Sequence, residues 1–97
     1  MCEVLCENPA KLYGLYPRKG ALSEGSDADI VILDPNGSTA ITAGTQVSRC
    51  DYAPLEGRTL KGRIEAVYLS GELAVFSGRV IREGRGQFLR RGKYQNV

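Results

Sequence analysis

The sequence predicts a mainly β fold with a short N-terminal helical segment. Three observations carry this prediction. Helix grammar is confined to the residues before Pro17. One apolar run, Ile30-Val31-Ile32-Leu33, stands between turn-forming residues on both sides. A second pair of apolar runs flanks Ser70-Gly71. Short apolar runs bounded by turn signals read as strands, the more so when β-branched residues fill them.

The first six residues, with Val4 and Leu5, read as the tail of a helix whose beginning is missing. Asn8-Pro9 reads as a fresh helix start, with Asn8 as N-cap and Pro9 at the first helical position. Ala10, Lys11, Leu12 and Tyr13 continue it, Leu12 and Leu15 are expected to face inward, and Gly14 is the expected C′ residue. Tyr16-Pro17 closes the helical section, because a residue before proline avoids the α region.

From Arg18 the pattern changes. Gly20-Ala21-Leu22 is a short extended piece and Glu24-Gly25 a turn. The stretch Gly25-Ser26-Asp27-Ala28-Asp29-Ile30-Val31-Ile32-Leu33-Asp34-Pro35 predicts a strand buried on both faces. Pro35 lacks an N–H and is expected to end its ladder. Asn36-Gly37 predicts a tight hairpin, with Thr39-Ala40-Ile41-Thr42 as the returning strand. Residues 43–61 form a less regular connection, anchored by Tyr52 and Leu55. Residues 64–69 and 73–76 then form a hairpin around Ser70-Gly71, with Ser77-Gly78 and Val80-Ile81 beyond it. Residues 82–97 show no apolar period and read as an extended arm. The expected division is a helical segment at 1–19, strands at 20–81 and a tail or oligomer arm at 82–97.

A chain of 97 residues is one small domain or a piece of a larger one. A net charge of +2 is too small to imply a nucleic-acid or membrane partner. No apolar run reaches the ~18 residues of a transmembrane helix, and no secretory signal is present. The expected location is cytoplasmic. Cys2, Cys6 and Cys50, odd in number, fit reduced thiols and read as small buried hydrophobes. Histidine is absent from the sequence, which removes the usual general base and the commonest metal ligand.

Four groups could carry chemistry. Asp27, Asp29 and Asp34 could pair as acid and base or hold a divalent cation. At a strand entry, however, Asp commonly forms Asx-turns, and further oxygen ligands at fixed offsets are lacking. Arg82, Arg85, Arg90, Arg91 and Lys93, interleaved with Phe88 and Tyr94, resemble a nucleic-acid footprint in composition, yet fit a solvated or subunit-bridging arm better. Gly84-Arg85-Gly86 lacks the third glycine and the following helix of a phosphate loop. Ser23, Ser26, Ser48, Ser70 and Ser77 have no histidine to activate them, and the spacing of Lys19 or Lys61 supports neither as a base. No residue is therefore assigned a catalytic, cofactor-binding or metal-binding role.

Several stretches together resemble one family. Glu7-Asn8-Pro9-Ala10-Lys11-Leu12-Tyr13-Gly14-Leu15-Tyr16-Pro17-Arg18-Lys19-Gly20 is similar to a segment of dihydropyrimidinases and hydantoinases. So are the central stretch, Asp51-Tyr52-Ala53-Pro54-Leu55-Glu56-Gly57, Ser70-Gly71-Glu72, and Gly84-Arg85-Gly86-Gln87-Phe88-Leu89-Arg90-Arg91. The match covers nearly the whole chain, in order. Departures are Cys6-Glu7, Gln46-Val47 after Thr45, and Leu55.

The resemblance implies the C-terminal portion of a cyclic amidase of the amidohydrolase superfamily. It implies part of a small composite β-sandwich that accompanies a metal-dependent (β/α)8 barrel. The parent would open the ring of dihydropyrimidines or hydantoins with two divalent metals (zinc) bridged by a carboxylated lysine, all held upstream, with no cofactor in this segment. Implied partners are the parent's N-terminal strands and barrel, and a further copy in a homo-oligomer. A fragment of a non-catalytic, dihydropyrimidinase-like scaffold protein is the alternative.

Overall fold

The computed structural model describes all 97 residues. A π-helical turn, Glu3–Glu7, runs without a break into α1, Asn8–Leu12. Asn8 is itself helical, and its N–H donates to the Glu3 carbonyl. The expected fresh start at Asn8-Pro9 is therefore corrected: Pro9 lies inside one continuous helical segment. The reason is local. Proline has no N–H and its ring crowds the carbonyl four residues back, and a widened turn just before it relieves both problems.

The helix ends as the sequence predicts. Gly14 has φ +71°, its N–H donates to Lys11, and the Leu15 N–H reaches back to the Ala10 carbonyl. These two bonds form a Schellman motif, which a residue without a Cβ adopts most readily. Leu12, expected to face inward, is exposed, because no element of the chain packs over that side of the helix.

Four strands follow: β1, Ile30–Ala40; β2, Thr59–Leu69; β3, Glu72–Phe76; and β4, Arg79–Val80. They pair antiparallel in the order β1-β2-β3-β4. The hairpin predicted around Ser70-Gly71 is present, and the residues beyond it form a second one. Ser70-Gly71 joins β2 to β3 and Ser77-Gly78 joins β3 to β4, and all four residues have positive φ. Positive φ at both central residues is the type I′ turn that matches strand twist.

The Asn36-Gly37 hairpin is not formed. β1 continues through Pro35, and both of its halves pair with β2: Asp34 faces Arg63 and Ser38 faces Lys61. The three residues between them bulge opposite Gly62. Pro35 is tolerated there because a bulged residue owes the ladder no donor. The Asn36 N–H donates to Asp34 Oδ1 at 2.9 Å, closing an Asx-turn. Gly37 serves close approach rather than reversal, since a Cβ there would lie 2.8 Å from Arg63 Cβ. The connection from β1 to β2 is irregular, as expected, apart from a 3-10 turn at Ala43–Thr45 capped by Thr42.

Register places Ile30, Ile32, Ala66 and Tyr68 in one row and Val31, Val67, Val75 and Val80 in the opposite one. Both faces are therefore apolar, which is what made β1 read as doubly buried. Within this chain it is not: Val31, Ile32 and Leu33 are all about half exposed or more. Only Ala10 and Ala66 are buried. The helical segment stands off the sheet across an open groove of about 800 Å³ bordered by Ala10, Tyr13, Leu15, Leu22, Ile30 and Val31. No helix packs against either row, and Val31, Ile32 and Val80 stay about half exposed.

Candidate functional site

The acidic turn that feeds β1 is the densest polar cluster in the molecule, and its partners come from far away in sequence. The Asp27 N–H donates to the Arg18 carbonyl at 2.9 Å, which lays residues 18–19 alongside the turn. Arg18 Nε then donates to Asp27 Oδ2 at 3.0 Å. Lys19 Nζ bridges both carboxylates, 2.9 Å from Asp27 Oδ2 and in a short contact with Asp29 Oδ2. The other oxygen of Asp29 accepts the Ser70 N–H at 2.9 Å, from the turn between β2 and β3. One residue on, the Gly71 N–H donates to the Ala28 carbonyl at 3.0 Å. Ser26 Oγ closes the loop on the Pro17 carbonyl at 2.7 Å.

The electrostatics follow from this arrangement. Lys19 and Arg18 hold the Asp27 carboxyl below the usual carboxylate range, chiefly through the Lys19 hydrogen bond. Desolvation pulls the Asp29 carboxyl upward, but the Lys19 and Ser70 hydrogen bonds outweigh it and leave that pKa lowered too. Desolvation also opposes the charge on Lys19, yet its bonds to Asp29 and Asp27 leave its pKa raised. Two carboxylates held ionised beside two cations are poor proton donors and acceptors near neutral pH. A lysine kept charged in this way does not serve as a base for a nearby serine.

The three aspartates singled out from sequence do not converge. Asp34 is the fifth residue of β1, bound to the Asn36 N–H. The metal ions that the family resemblance implies find no fitting donor set here. No group of three His, Cys, Asp or Glu side chains converges, and the two neighbouring carboxylates already spend oxygens on Lys19, Arg18 and Ser70. The basic residues of the tail are divided: Arg82 and Arg85 both pair with Glu72 of β3, while Phe88 and Tyr94 project into solvent. The three cysteines are free and exposed, which corrects their reading as buried hydrophobes. Sequence reasoning missed Arg18, Lys19 and the Ser70 N–H as the partners of the turn. They lie nine, ten and forty-one residues away from the aspartates they bind, beyond the reach of any local pattern.

Fold and turn together define the class: an antiparallel sheet module with apolar rows on both faces, entered through an ion-paired acidic turn and preceded by a short helix. The chain belongs to the amidohydrolase family, whose profile matches residues 2–74. It is 40% identical over 94 residues to a D-hydantoinase of Streptomyces coelicolor, a match covering 96% of this chain and 20% of that protein. It is also 40% identical over 96 residues to an L-hydantoinase of Paenarthrobacter aurescens, covering 98% and 21%. Among solved structures, a D-hydantoinase superposes with a TM-score of 0.90 at 38% identity, over 98% of this chain and 21% of that one. A dihydropyrimidinase from Brevibacillus agri superposes at 0.84 and 34% identity, over 91% and 19%. The chain thus spans about one fifth of the length of the relatives it matches.

Proposed function

We infer that this chain is the C-terminal portion of a cyclic-amide hydrolase of the dihydropyrimidinase and hydantoinase type, and that it contributes strands to that enzyme's small sandwich domain. The chemistry of such a parent is opening of the amide C–N bond of a dihydropyrimidine or hydantoin ring. Its metal ions belong to the remaining four-fifths of the protein, since the side chains here offer them no site. The relatives matched over nearly the whole of this chain are named as hydantoinases, which favours an enzyme parent over a scaffold relative. No helix is long and apolar enough to cross a membrane; a cytoplasmic setting and a homo-oligomeric assembly are separate parts of the proposal.

One observation carries the structural half of this reading. A folded monomer of 10.5 kDa is expected to expose about 5,400 Å², whereas this chain exposes 8092 Å². The excess of about 2,700 Å² exceeds what one partner contributes to a standard protein–protein interface, ~800 Å². Part of it lies on the sheet, where Val31, Ile32, Leu33, Ile64 and Val80 are about half exposed. Much of the rest lies on the helical turn, the β1–β2 connection and the tail, where Val4, Leu5, Val47 and Phe88 are exposed. Apolar surface left open on several elements fits a module covered by the rest of a larger protein. The test has two arms. The isolated chain with added Zn²⁺ should leave dihydrouracil and hydantoin intact, and turnover would place an active site within these residues. A zinc-loaded full-length protein carrying this segment should open one of the two rings. Inertness toward both would overturn the enzymatic reading.

A further inference from the structure

Residues 82–97 form neither helix nor strand, yet the end of this segment does not run free. It returns to the C-terminal end of α1. The Gly92 N–H donates to the Gly14 carbonyl at 2.7 Å, and the Gln95 N–H to the Lys11 carbonyl at 2.8 Å. The Gln95 side-chain amide donates to the Tyr16 carbonyl at 3.2 Å. These carbonyls lie in the last turn and the exit of the helix. The Gly14 and Tyr16 carbonyls have no helical donor, and the Lys11 carbonyl has only the Gly14 N–H at 3.3 Å. All lie at the negative end of the helix, so approaching N–H donors suit them. The contact is close: a Cβ on Gly14 would lie 2.2 Å from the Gly92 carbonyl oxygen. The glycine that the helix needs at its C′ position is thus also the one that lets the tail touch down.

On its way the tail crosses the ion-paired turn. Arg85, Gly86, Gln87 and Leu89 wall one side of a cleft of about 140 Å³, opposite Asp27 and Ser70. Arg85 is anchored on Glu72 of β3. The segment is pinned at both ends, once to the sheet and once to the helix, with the turn beneath it.

We propose that residues 82–97 are an intramolecular strap that clamps the helical segment and the acidic turn to the sheet. Released, the strap frees the Gly14 and Tyr16 carbonyls and leaves the Lys11 carbonyl only the Gly14 N–H. The helix exit and residues 15–19 then loosen while the β2–β3 ladder stays intact. The end of the chain thereby controls the order of the segment that carries Arg18 and Lys19.

Amide hydrogen exchange of the full chain, followed residue by residue at two protein concentrations, tests this. The Gly92 and Gln95 amides should exchange at least about tenfold more slowly than in a free peptide, equally at both concentrations. Gly14→Ala should abolish that protection. Gly92→Ala should keep it, because the added Cβ would sit 3.6 Å from the Gly14 oxygen, an ordinary contact. Ending the chain after Arg91 should speed exchange at Leu15 and Lys19 and leave Val67 and Val75 unchanged. This last variant decides the matter if Gly14→Ala disrupts the helix itself. Free-peptide rates at Gly92 and Gln95 would overturn the strap. Protection lost on dilution would also do so, by showing that the tail docks on a second copy. Unchanged rates at Leu15 and Lys19 after truncation would remove its clamping role.

Discussion

The exposed sheet makes a quantitative prediction about the isolated chain. The excess surface of about 2,700 Å² is more than three times the ~800 Å² that one partner contributes to a standard interface. The outer edge of β1 is also unpaired along eleven residues, a template for another strand. Interfaces of standard size span micromolar to picomolar affinity once the costs of association are met. Two copies covering each other over even a third of the excess should therefore associate at micromolar concentration. The perturbation is a pair of charges in one apolar row, Val31→Lys with Val75→Lys, each flanking Val67 by register. Removing two apolar side chains from an interface forfeits about 1.5–3 kcal/mol each, before the cost of burying an ammonium. The dissociation constant should rise by at least about a hundredfold, at ~1.4 kcal/mol per decade. Sedimentation velocity from ~1 to ~200 μM reads this directly, across the micromolar range expected for such an interface. Wild type should move from 10.5 kDa toward twice that mass or beyond, and the double variant should stay monomeric. A wild-type chain that stays monomeric throughout and binds no hydrophobic dye would refute the claim that its sheet faces are interface surfaces.

Four further outcomes follow from the same structure. Asp29→Ala removes an acceptor of the Ser70 N–H and a partner of Lys19; because the carboxylate is about a third exposed, the loss should be about 1–2 kcal/mol by urea unfolding, and Asp29→Asn, which keeps an acceptor, should lose less. Asp27 and Asp29 have lowered pKa values in the fold, so their stabilisation is complete above the unfolded carboxylate value of ~4 and is lost as pH falls through the folded values. Lys19 is raised, so its contribution is complete below ~10.4 and is lost as pH rises through its folded value; a Tm profile should show a plateau between these limits, shallower in high salt. Gly37→Ala should destabilise the chain by about 1–3 kcal/mol, because the new Cβ meets Arg63 Cβ at 2.8 Å, and a neutral result would show that the bulge is looser than its geometry. All three cysteines should react with a thiol reagent in the native chain at solvent-like rates, and slow labelling at any one would contradict its exposure.

Much of this fold was legible locally. The hairpin at Ser70-Gly71 was written in that turn, and the helix end in Gly14, because positive φ is a property of single residues. The acidic turn before Ile30 was readable as a turn because short Asp side chains bond nearby backbone. The misreadings have one cause in common. Asn36-Gly37 and Asn8-Pro9 carry local signals for a reversal and a helix start. In the fold the glycine makes room for Arg63, twenty-six residues on, and the proline sits behind a widened turn formed by the residues just before it, and neither outcome is written in the dipeptide itself.

The sequence by itself determined the class of elements, the doubly apolar character of β1 and the family resemblance, since composition and short-range pattern encode all three. Only the tertiary structure decided what the aspartates do. Arg18, Lys19 and the Ser70 N–H reach Asp27 and Asp29 across eight to forty-one residues and hold them ionised. It alone decided that the apolar rows are open within this chain and that the tail ends on the helix. Such facts depend on which distant surfaces meet. Hydrophobic pattern shows that a face prefers to be covered, and only the packed chain shows whether its own residues cover it.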